Sequence, residues 1–196
     1  MKCNTWESRK DAILIGYGEN TIGYRVYLDA VENAFGFDIV SKLIDISKNE
    51  YGLNNVMVAN AMDIPLRSGS VNRVIFYNVI EHCSDPEKVM REIFRVLSED
   101  GILYMDCPNA NSMGDRFFRW GSILLYGKTS HIQKFTKKRI ELIIQRAGFS
   151  IEKLLTYRGI FVDYPQLKKF PCLKRLLRFL FGREIGGWEF KLKKNS

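Results

Sequence analysis

Two stretches of this sequence carry residues that could hold a nucleoside. The stretch ILIGYGEN, residues 13–20, runs an apolar segment into a Gly-Tyr-Gly turn, and Asp38 ends a second apolar segment 20 residues after Gly18. At that offset a carboxylate can accept hydrogen bonds from both ribose hydroxyls of an adenosine. A dinucleotide fingerprint that starts at Gly16 needs a glycine at position 21, where the chain has Thr21. The pattern therefore favours a nucleoside cofactor without a pyrophosphate.

The chain has two histidines, the side chains that most often accept protons near neutral pH. His82 follows the fourth predicted strand, and His131 lies in a long aromatic segment. Both can reach the carboxyl ends of the strands, where ligands bind in α/β folds. We therefore take His131 and His82 as the candidate catalytic residues, and a structural hydrogen bond is the alternative role of His82. Tyr17 and Asp106 are further candidates.

The cysteines predict no metal centre. Cys3, Cys83, Cys107 and Cys172 are far apart and form no CxxC pair. Isolated thiols fit a reducing compartment better than a disulfide framework. The chain starts with polar residues, and no apolar run approaches the roughly 20 residues that span a bilayer. Together these features predict a cytoplasmic location.

Apolar runs alternate with helical patterns along the chain. The predicted strands cover residues 12–16, 34–38, 55–60, 73–78, 102–106, 150–157 and 188–194, and the predicted helices cover about 21–33, 40–50, 86–97 and 136–147. Strands that alternate with helices predict a parallel sheet with helices on both faces. Asp85 and Thr136 are predicted N-caps of the last two helices.

Two segments stand apart from this alternation. Residues 107–135 form a long aromatic loop, a length typical of lids and binding loops. Residues 158–196 hold ten Lys/Arg against three Asp/Glu and so carry +7 of the net charge of +8. Within them, residues 167–183 place apolar side chains on one helical face and basic ones on the other. This pattern fits either a helix packed over the sheet or an interfacial helix at an anionic membrane.

The segment from residue 56 to 109 resembles the class I S-adenosylmethionine (SAM)-dependent methyltransferases, particularly the type 11 group. The residues that match the family pattern are Ala61, Ile64, Pro65, Glu81, His82, Asp85, Pro86, Glu92, Arg95, Val96, Leu97 and Gly101. The resemblance extends from about Ala12 to Tyr157 and includes the late segment HIQKFTKKRIELIIQRAGF. It implies an α/β fold with a doubly wound, seven-stranded, mostly parallel sheet whose last strand is antiparallel. It also implies SAM as the cofactor and S-adenosylhomocysteine as its product.

The resemblance also implies which residues bind the cofactor. They are Gly16, Tyr17 and Gly18 around the methionine part with Glu19 beside them, Asp38 at the ribose with Ile39 next to it, Asn60, Ala61 and Met62 at the adenine, and Tyr77, Asn78 and Val79 at the methionine and sulfonium. The family usually has an acid for the cofactor's ammonium group where this chain has Leu14, and Glu19 is the candidate substitute. Asn20 stands where the family usually has glycine, and Asn tolerates the positive φ that such a turn needs.

The predicted function is methyl transfer from SAM to a small-molecule, lipid-linked or sugar acceptor. We expect one domain over residues 1–196, with an acceptor-side lid at 107–135 and a basic helical insertion at 158–184. A non-catalytic, methyltransferase-like binding protein with a degenerate cofactor loop is the alternative. A nicotinamide oxidoreductase is disfavoured by Thr21. An RNA methyltransferase is disfavoured because residues 1–157 carry almost no net charge.

Overall fold

The structure is a computed structural model that describes residues 12–16, 34–112, 115–116, 119–120, 123–124, 131–158 and 185–195. Three predictions fall wholly or largely on other residues: the helix over about 21–33, the turn residues Tyr17, Gly18 and Glu19, and the basic insertion beyond residue 158. The elements are β1 Ala12–Ile15, β2 Ala34–Asp38, α1 Ser41–Asn49, β3 Val56–Val58, β4 Val71–Phe76, a 3-10 turn Ile80–His82, α2 Pro86–Val96, β5 Leu97–Pro108, α3 Lys137–Arg146, β6 Phe149–Arg158 and β7 Ile185–Lys194.

The seven strands form one sheet in the order β3-β2-β1-β4-β5-β7-β6. The pairs from β3 through β5 are all parallel, whereas β7 runs antiparallel to both β5 and β6. The predicted doubly wound, mostly parallel sheet with an antiparallel last strand is therefore confirmed. The strand order reverses between β1 and β4, the position at which open α/β sheets bind ligands.

Strand β1 is buried on both faces and divides the core in two. Ile13 and Ile15 belong to a large apolar cluster with α2 and α3, and Ala12 and Leu14 belong to a smaller cluster with Ile44 of α1. Alternate side chains of a strand point to opposite faces, so a continuous apolar run is what a central parallel strand requires.

Strand β5 is longer than the sequence predicts. The polar residues 98–101 suggest a turn before a strand at 102–106, but the structure continues the strand back to Leu97. Leu97 pairs with Val71, and the register shifts before Arg73 pairs with Ile102. The neighbouring strand supplies backbone partners at this irregularity, so pairing overrides the local turn pattern.

Helix α2 fixes the loop that follows β3. Its N-cap Asp85 accepts a hydrogen bond from the Lys88 amide at 2.9 Å. Further along, Glu92 accepts from the Ile64 amide at 2.9 Å, while the Arg95 guanidinium donates to the Ile64 and Leu66 carbonyls, both at 2.8 Å. These charged side chains of the E-x-x-R pattern thus satisfy backbone groups of the loop and hold it at the edge of the pocket described below.

Within the described ranges, no helix combines the length and the apolar composition that crossing a membrane requires.

Candidate active site

A pocket of about 430 Å³ opens at the carboxyl ends of the parallel strands. Its described lining is mainly apolar, with a few polar side chains from the strand ends. The lining residues are Ile15, Gly16, Phe37, Asp38, Ile39, Val40, Leu43, Ala59, Asn60, Ala61, Met62, Asn78, Val79, His82, Cys83, Ser84 and Val89. The volume and the small number of convergent polar groups are typical of a site for a small organic ligand.

Gly16 ends β1 at the floor of this pocket. Its φ is +66°, and a Cβ there would lie 2.6 Å from Cγ2 of Val79. Its amide donates to the Phe37 carbonyl at 2.8 Å, which ties the start of the turn to β2. Only glycine meets both the conformation and the space at this position, so the backbone can approach a ligand closely.

Asp38 ends β2 inside the pocket and is 6% exposed. Its Oδ1 accepts a hydrogen bond from the Val40 amide at 2.9 Å, which orients the carboxylate. A buried carboxylate at this position can accept hydrogen bonds from neighbouring hydroxyl groups of a ligand.

The segment after β3 forms the opposite wall. Asn60 Oδ1 accepts from the Met62 amide at 2.9 Å, and Asn60 also makes an isolated bridge with Asp63. These bonds close a tight turn that presents Asn60, Ala61 and Met62 to the pocket. The bonds from α2 anchor Ile64 and Leu66, which follow this turn in the chain.

The end of β4 takes an unusual backbone conformation. Asn78 has a φ of 55°, which asparagine tolerates better than most residues. Its amide donates to Asp106 Oδ1 at 2.6 Å, a bond that joins the ends of β4 and β5. Burial, together with the neighbouring Glu189 carboxylate, raises the pKa of Asp106 to about 6 despite that bond.

A buried carboxylate and both histidines meet beside the pocket. Glu81 is 2% exposed, and its Oε1 lies 4.0 Å from His82 Nε2 and 3.9 Å from His131 Nε2. The two imidazole rings pack edge to face with centroids 5.1 Å apart. Burial raises the pKa of Glu81 to about 7, although a hydrogen bond from the backbone opposes this effect. No described residue hydrogen-bonds Glu81 Oε2.

Hydrogen bonds with Asp115 and Arg119, both in the predicted lid, hold His131 in this position. Its Nδ1 lies 2.9 Å from Asp115 Oδ1, and Asp115 Oδ2 accepts from Arg119 Nε at 2.6 Å. The Arg119 guanidinium also donates to the carbonyls of His131 and Gln133. Burial alone would raise the pKa of Asp115, but the hydrogen bonds with His131 and Arg119 lower it. Asp115 is therefore an ionised acceptor that orients the imidazole.

The neighbouring thiol is not a candidate nucleophile. Cys83 lines the pocket, and its thiol contacts the Val79 carbonyl at 3.3 Å. Burial, reinforced by the Glu81 carboxylate, raises the pKa of this thiol to about 12. It therefore stays protonated at neutral pH.

The structure brings most of the predicted cofactor residues together. Those that line the pocket are Gly16, Asp38, Ile39, Asn60, Ala61, Met62, Asn78 and Val79. Tyr77 lies outside the described lining, and its hydroxyl donates to Glu189 Oε1 at 2.9 Å. Leu14 also lies outside it, 1% exposed within the smaller apolar cluster. Tyr17, Gly18 and Glu19 are outside the described residues.

Sequence reasoning missed the groups that surround the two histidines. Glu81 belongs to the E-H pair that matches the family pattern, so the sequence indicates that this residue matters. The sequence does not indicate that Glu81 is buried beside two imidazoles. Asp115 and Arg119 come from a loop without a local pattern. Only the tertiary contacts show that this loop orients His131.

Comparison with known proteins shows that this chain is similar to methyltransferases in sequence and in fold. The family described as a methyltransferase domain, type 11, matches residues 13–105. A Mycolicibacterium smegmatis protein named as a probable SAM-dependent methyltransferase is 24% identical over 157 residues, 78% of this chain and 55% of that protein. A chloroplastic 2-methyl-6-phytyl-1,4-hydroquinone methyltransferase of Oryza sativa is 26% identical over 153 residues, 74% of this chain and 43% of that protein.

Among solved structures, a chain from the complex between the Haloferax volcanii Trm112 methyltransferase activator and a methyltransferase superposes with a TM-score of 0.75. It is 16% identical, and the match covers 97% of this chain and 85% of that chain. This similarity supports the shared fold. The chain spans between about a third and just over half of the length of the curated relatives that it matches first.

Proposed function

We propose that this chain contains a class I methyltransferase domain of the type 11 group and that the protein transfers a methyl group from SAM to a small-molecule or lipid-linked acceptor. The observation that carries this proposal is the convergence of eight predicted cofactor residues on one pocket that ends at a cluster of histidines and carboxylates. The pocket suits binding of the cofactor, and the cluster of histidines and carboxylates suits proton transfer from an acceptor or binding of an acceptor.

The described residues fit SAM. Asp38 offers a buried, pre-oriented carboxylate to the ribose hydroxyls, and Gly16 allows the backbone to approach the methionine part. The turn at Asn60–Met62 offers a mainly apolar wall to the adenine. When bound, SAM supplies a methyl group activated on a sulfonium.

The acceptor side lies beyond the end of β4. We propose that His131 and His82 act on the acceptor there, as proton acceptors or as ligands, with Asp115 fixing the orientation of His131. In-line methyl transfer chiefly requires that nucleophile and methyl carbon be aligned, and an oxygen or nitrogen nucleophile must also lose a proton. The proposed lid at 107–135 supplies His131, Asp115 and Arg119 for this purpose.

A lipid-linked acceptor has support of two kinds. The rice relative is named for a hydroquinone with a phytyl chain, and the basic segment 167–183 has the composition of an interfacial helix. We propose that the segment 158–184 meets the acceptor or an anionic membrane surface from the cytoplasm. We do not expect nucleic acid as a partner because residues 158–196 carry +7 of the net charge of +8, which leaves the rest of the chain nearly neutral.

Two measurements test the proposal. Calorimetry with SAM and with S-adenosylhomocysteine measures cofactor binding. Incubation with isotope-labelled SAM and extracts that contain lipids then detects a labelled product by mass spectrometry. The Asp38→Ala variant is the negative control. Absence of SAM binding by the folded protein would refute the proposal.

One observation favours the second candidate, a methyltransferase-like protein that binds without catalysis. Leu14 occupies the position where the family usually has an acid, and its surroundings are apolar. On this account the protein binds cofactor weakly or not at all, and no labelled product forms with any extract. Cofactor affinity in the range of active relatives together with turnover would exclude it.

A further inference from the structure

We propose that Glu81, His82 and His131 form a binding site for one divalent transition-metal ion that holds an oxygen of the methyl acceptor. The inference deepens the proposed function and rests on it for the role of the ion, although the site itself can be tested independently. Among the described residues, the ligand atoms of these three side chains all lie within 4.8 Å of one another.

The distances fit a shared ion better than direct contacts. Glu81 Oε1 is 3.9 Å from His131 Nε2 and 4.0 Å from His82 Nε2, too far for a hydrogen bond. Metal bonds from imidazole and carboxylate are about 2.1 Å each, so two such bonds span up to about 4.2 Å. Tetrahedral angles would bring the ligand atoms about 3.4 Å apart, a closure of about 0.5 Å for the two pairs that include Glu81 and of at most about 1.4 Å for a pair at the 4.8 Å limit.

Asp115 supports His131 in the way that carboxylates support metal-bound histidines. The 2.9 Å contact pairs His131 Nδ1 with Asp115 Oδ1, and a metal-bound imidazole would donate the Nδ1 proton to that carboxylate. Nε2 then carries the lone pair, and it is Nε2 that faces Glu81. A carboxylate on the second nitrogen of a ligand imidazole fixes both tautomer and ring orientation.

Glu81 supplies the second, independent observation. It is 98% buried, and its Oε2 has no hydrogen-bond partner among the described residues. A buried carboxylate that lacks a partner is costly, and a cation is the most direct compensation. The backbone holds Glu81 in this position because its carbonyl accepts from the Gln133 amide at 3.0 Å.

Three protein ligands leave coordination positions for a substrate. His82 lines the cofactor pocket and is 39% exposed at its side chain, so the open side of the ion faces that pocket. Two imidazoles and one carboxylate suit Zn²⁺, Fe²⁺ and related ions, whose catalytic sites keep such open positions. An acceptor hydroxyl bound there would lose its proton to solvent water more easily, so the histidines need not act as bases. Its oxygen would then form a bond to the methyl carbon as the bond between that carbon and the sulfonium sulfur breaks, which leaves S-adenosylhomocysteine.

The test titrates tag-free protein with Co²⁺ in the absence of SAM and follows the visible absorption bands of the bound ion, with Zn²⁺ as competitor. We expect one ion per chain. Glu81→Gln and His82→Ala should each weaken Co²⁺ binding roughly 100-fold, and Asp115→Asn about tenfold. Glu141→Gln, which removes an exposed carboxylate on α3, is the matched control and should bind as the wild type does.

Thermal unfolding with a chelator present establishes that each variant folds. If Glu81→Gln does not fold, Co²⁺ binding by His82→Ala tests the metal site instead. The His82 side chain is partly exposed, so removing it disturbs little packing. Absence of stoichiometric Co²⁺ binding, or equal binding by wild type and folded variants, overturns the metal site. Since SAM binding is measured separately by calorimetry, failure of either idea leaves the other intact.

Discussion

At the ends of β1, β2 and β3 the pocket is built from backbone, apolar side chains and one carboxylate, whereas beside the pocket, beyond β4 and β5, ionisable groups gather around the buried Glu81. We call the first region, with Gly16, Asp38 and Asn60, the cofactor half. The second, with Glu81, His82, Asp106, Asp115 and His131, is the acceptor half. The cofactor half offers a fixed shape. The acceptor half offers carboxylates whose pKa values are displaced in opposite directions.

This difference follows from the two tasks. Binding the invariant part of a cofactor requires pre-formed geometry, which turns and a glycine provide. Acting on an acceptor requires groups that can exchange a proton or hold an ion, and burial is what displaces their pKa values. Substitutions in the cofactor half should therefore change SAM affinity, whereas substitutions in the acceptor half should change pH dependence or ion binding.

The largest effect is expected from Gly16→Ala. The new Cβ meets Val79 at 2.6 Å, and the residue must keep a φ of +66°. Left-handed strain and overpacking together should lower the free energy of unfolding by at least about 3 kcal/mol and abolish SAM binding. Denaturant unfolding and calorimetry measure these effects. Adding Val79→Ala should restore part of the loss. If Gly16→Ala alone bound SAM normally, the account of the turn would be wrong.

Asp38→Ala should weaken SAM binding by about 1.5–3 kcal/mol, the range for hydrogen bonds to a charged group. Its carboxylate is buried in the pocket, and Val40 holds it in place. Calorimetry measures the change, and Asp45→Ala, an exposed acid of α1, is the matched control. Equal affinity in folded wild type and Asp38→Ala would remove Asp38 from the cofactor half.

Asp106→Asn should change the pH dependence of stability and leave SAM affinity within about threefold. Asp106 faces Glu189 from β7 and Glu81 from the 3-10 turn, and its folded-state pKa of about 6 lies above its ordinary value. Ionising it therefore destabilises the wild type as the pH rises through about 4 to 7. Asparagine does not ionise and can still accept from the Asn78 amide. Relative to wild type, the free energy of unfolding of the variant should increase by roughly 2–3 kcal/mol as the pH rises from about 4 to about 7.

Chemical denaturation at about pH 4.5 and about pH 7.5 measures this gain. Asp85→Asn, an exposed N-cap carboxylate, controls for general effects of charge removal. Parallel stability curves for wild type and Asp106→Asn would contradict the burial argument.

The smallest effect is expected from Tyr77→Phe. Its hydroxyl donates to Glu189 Oε1 rather than entering the described lining of the pocket. Losing one such hydrogen bond should cost about 1 kcal/mol of stability. SAM affinity should stay within about twofold. A loss of affinity comparable to that of Asp38→Ala would place Tyr77 in the cofactor half after all, as the family resemblance implies.

The strands and helices could largely be read from local patterns. The predicted strand at 34–38 matches β2, and the predicted helices at 86–97 and 136–147 match α2 and α3 within a residue or two at each end. These elements have strong periodicity and clear caps. Strand β5 was predicted too short because its first residues are polar and gain their partners from β4, a contact that no local pattern contains.

The sequence by itself indicated the α/β class, because strand and helix patterns alternate along the chain, and the family resemblance implied the sheet topology and the residues of the cofactor half. The glycine of the turn and the acid 20 residues on lie next to the ends of β1 and β2, so local spacing indicated a nucleoside site there. Tertiary structure alone decided the acceptor half. His131 meets Glu81 across 50 residues of chain, and it does so because Asp115 and Arg119 orient it and Gln133 pins its segment to the 3-10 turn. Such contacts depend on packing between distant segments, and burial there, rather than residue type, sets the charge behaviour of each carboxylate.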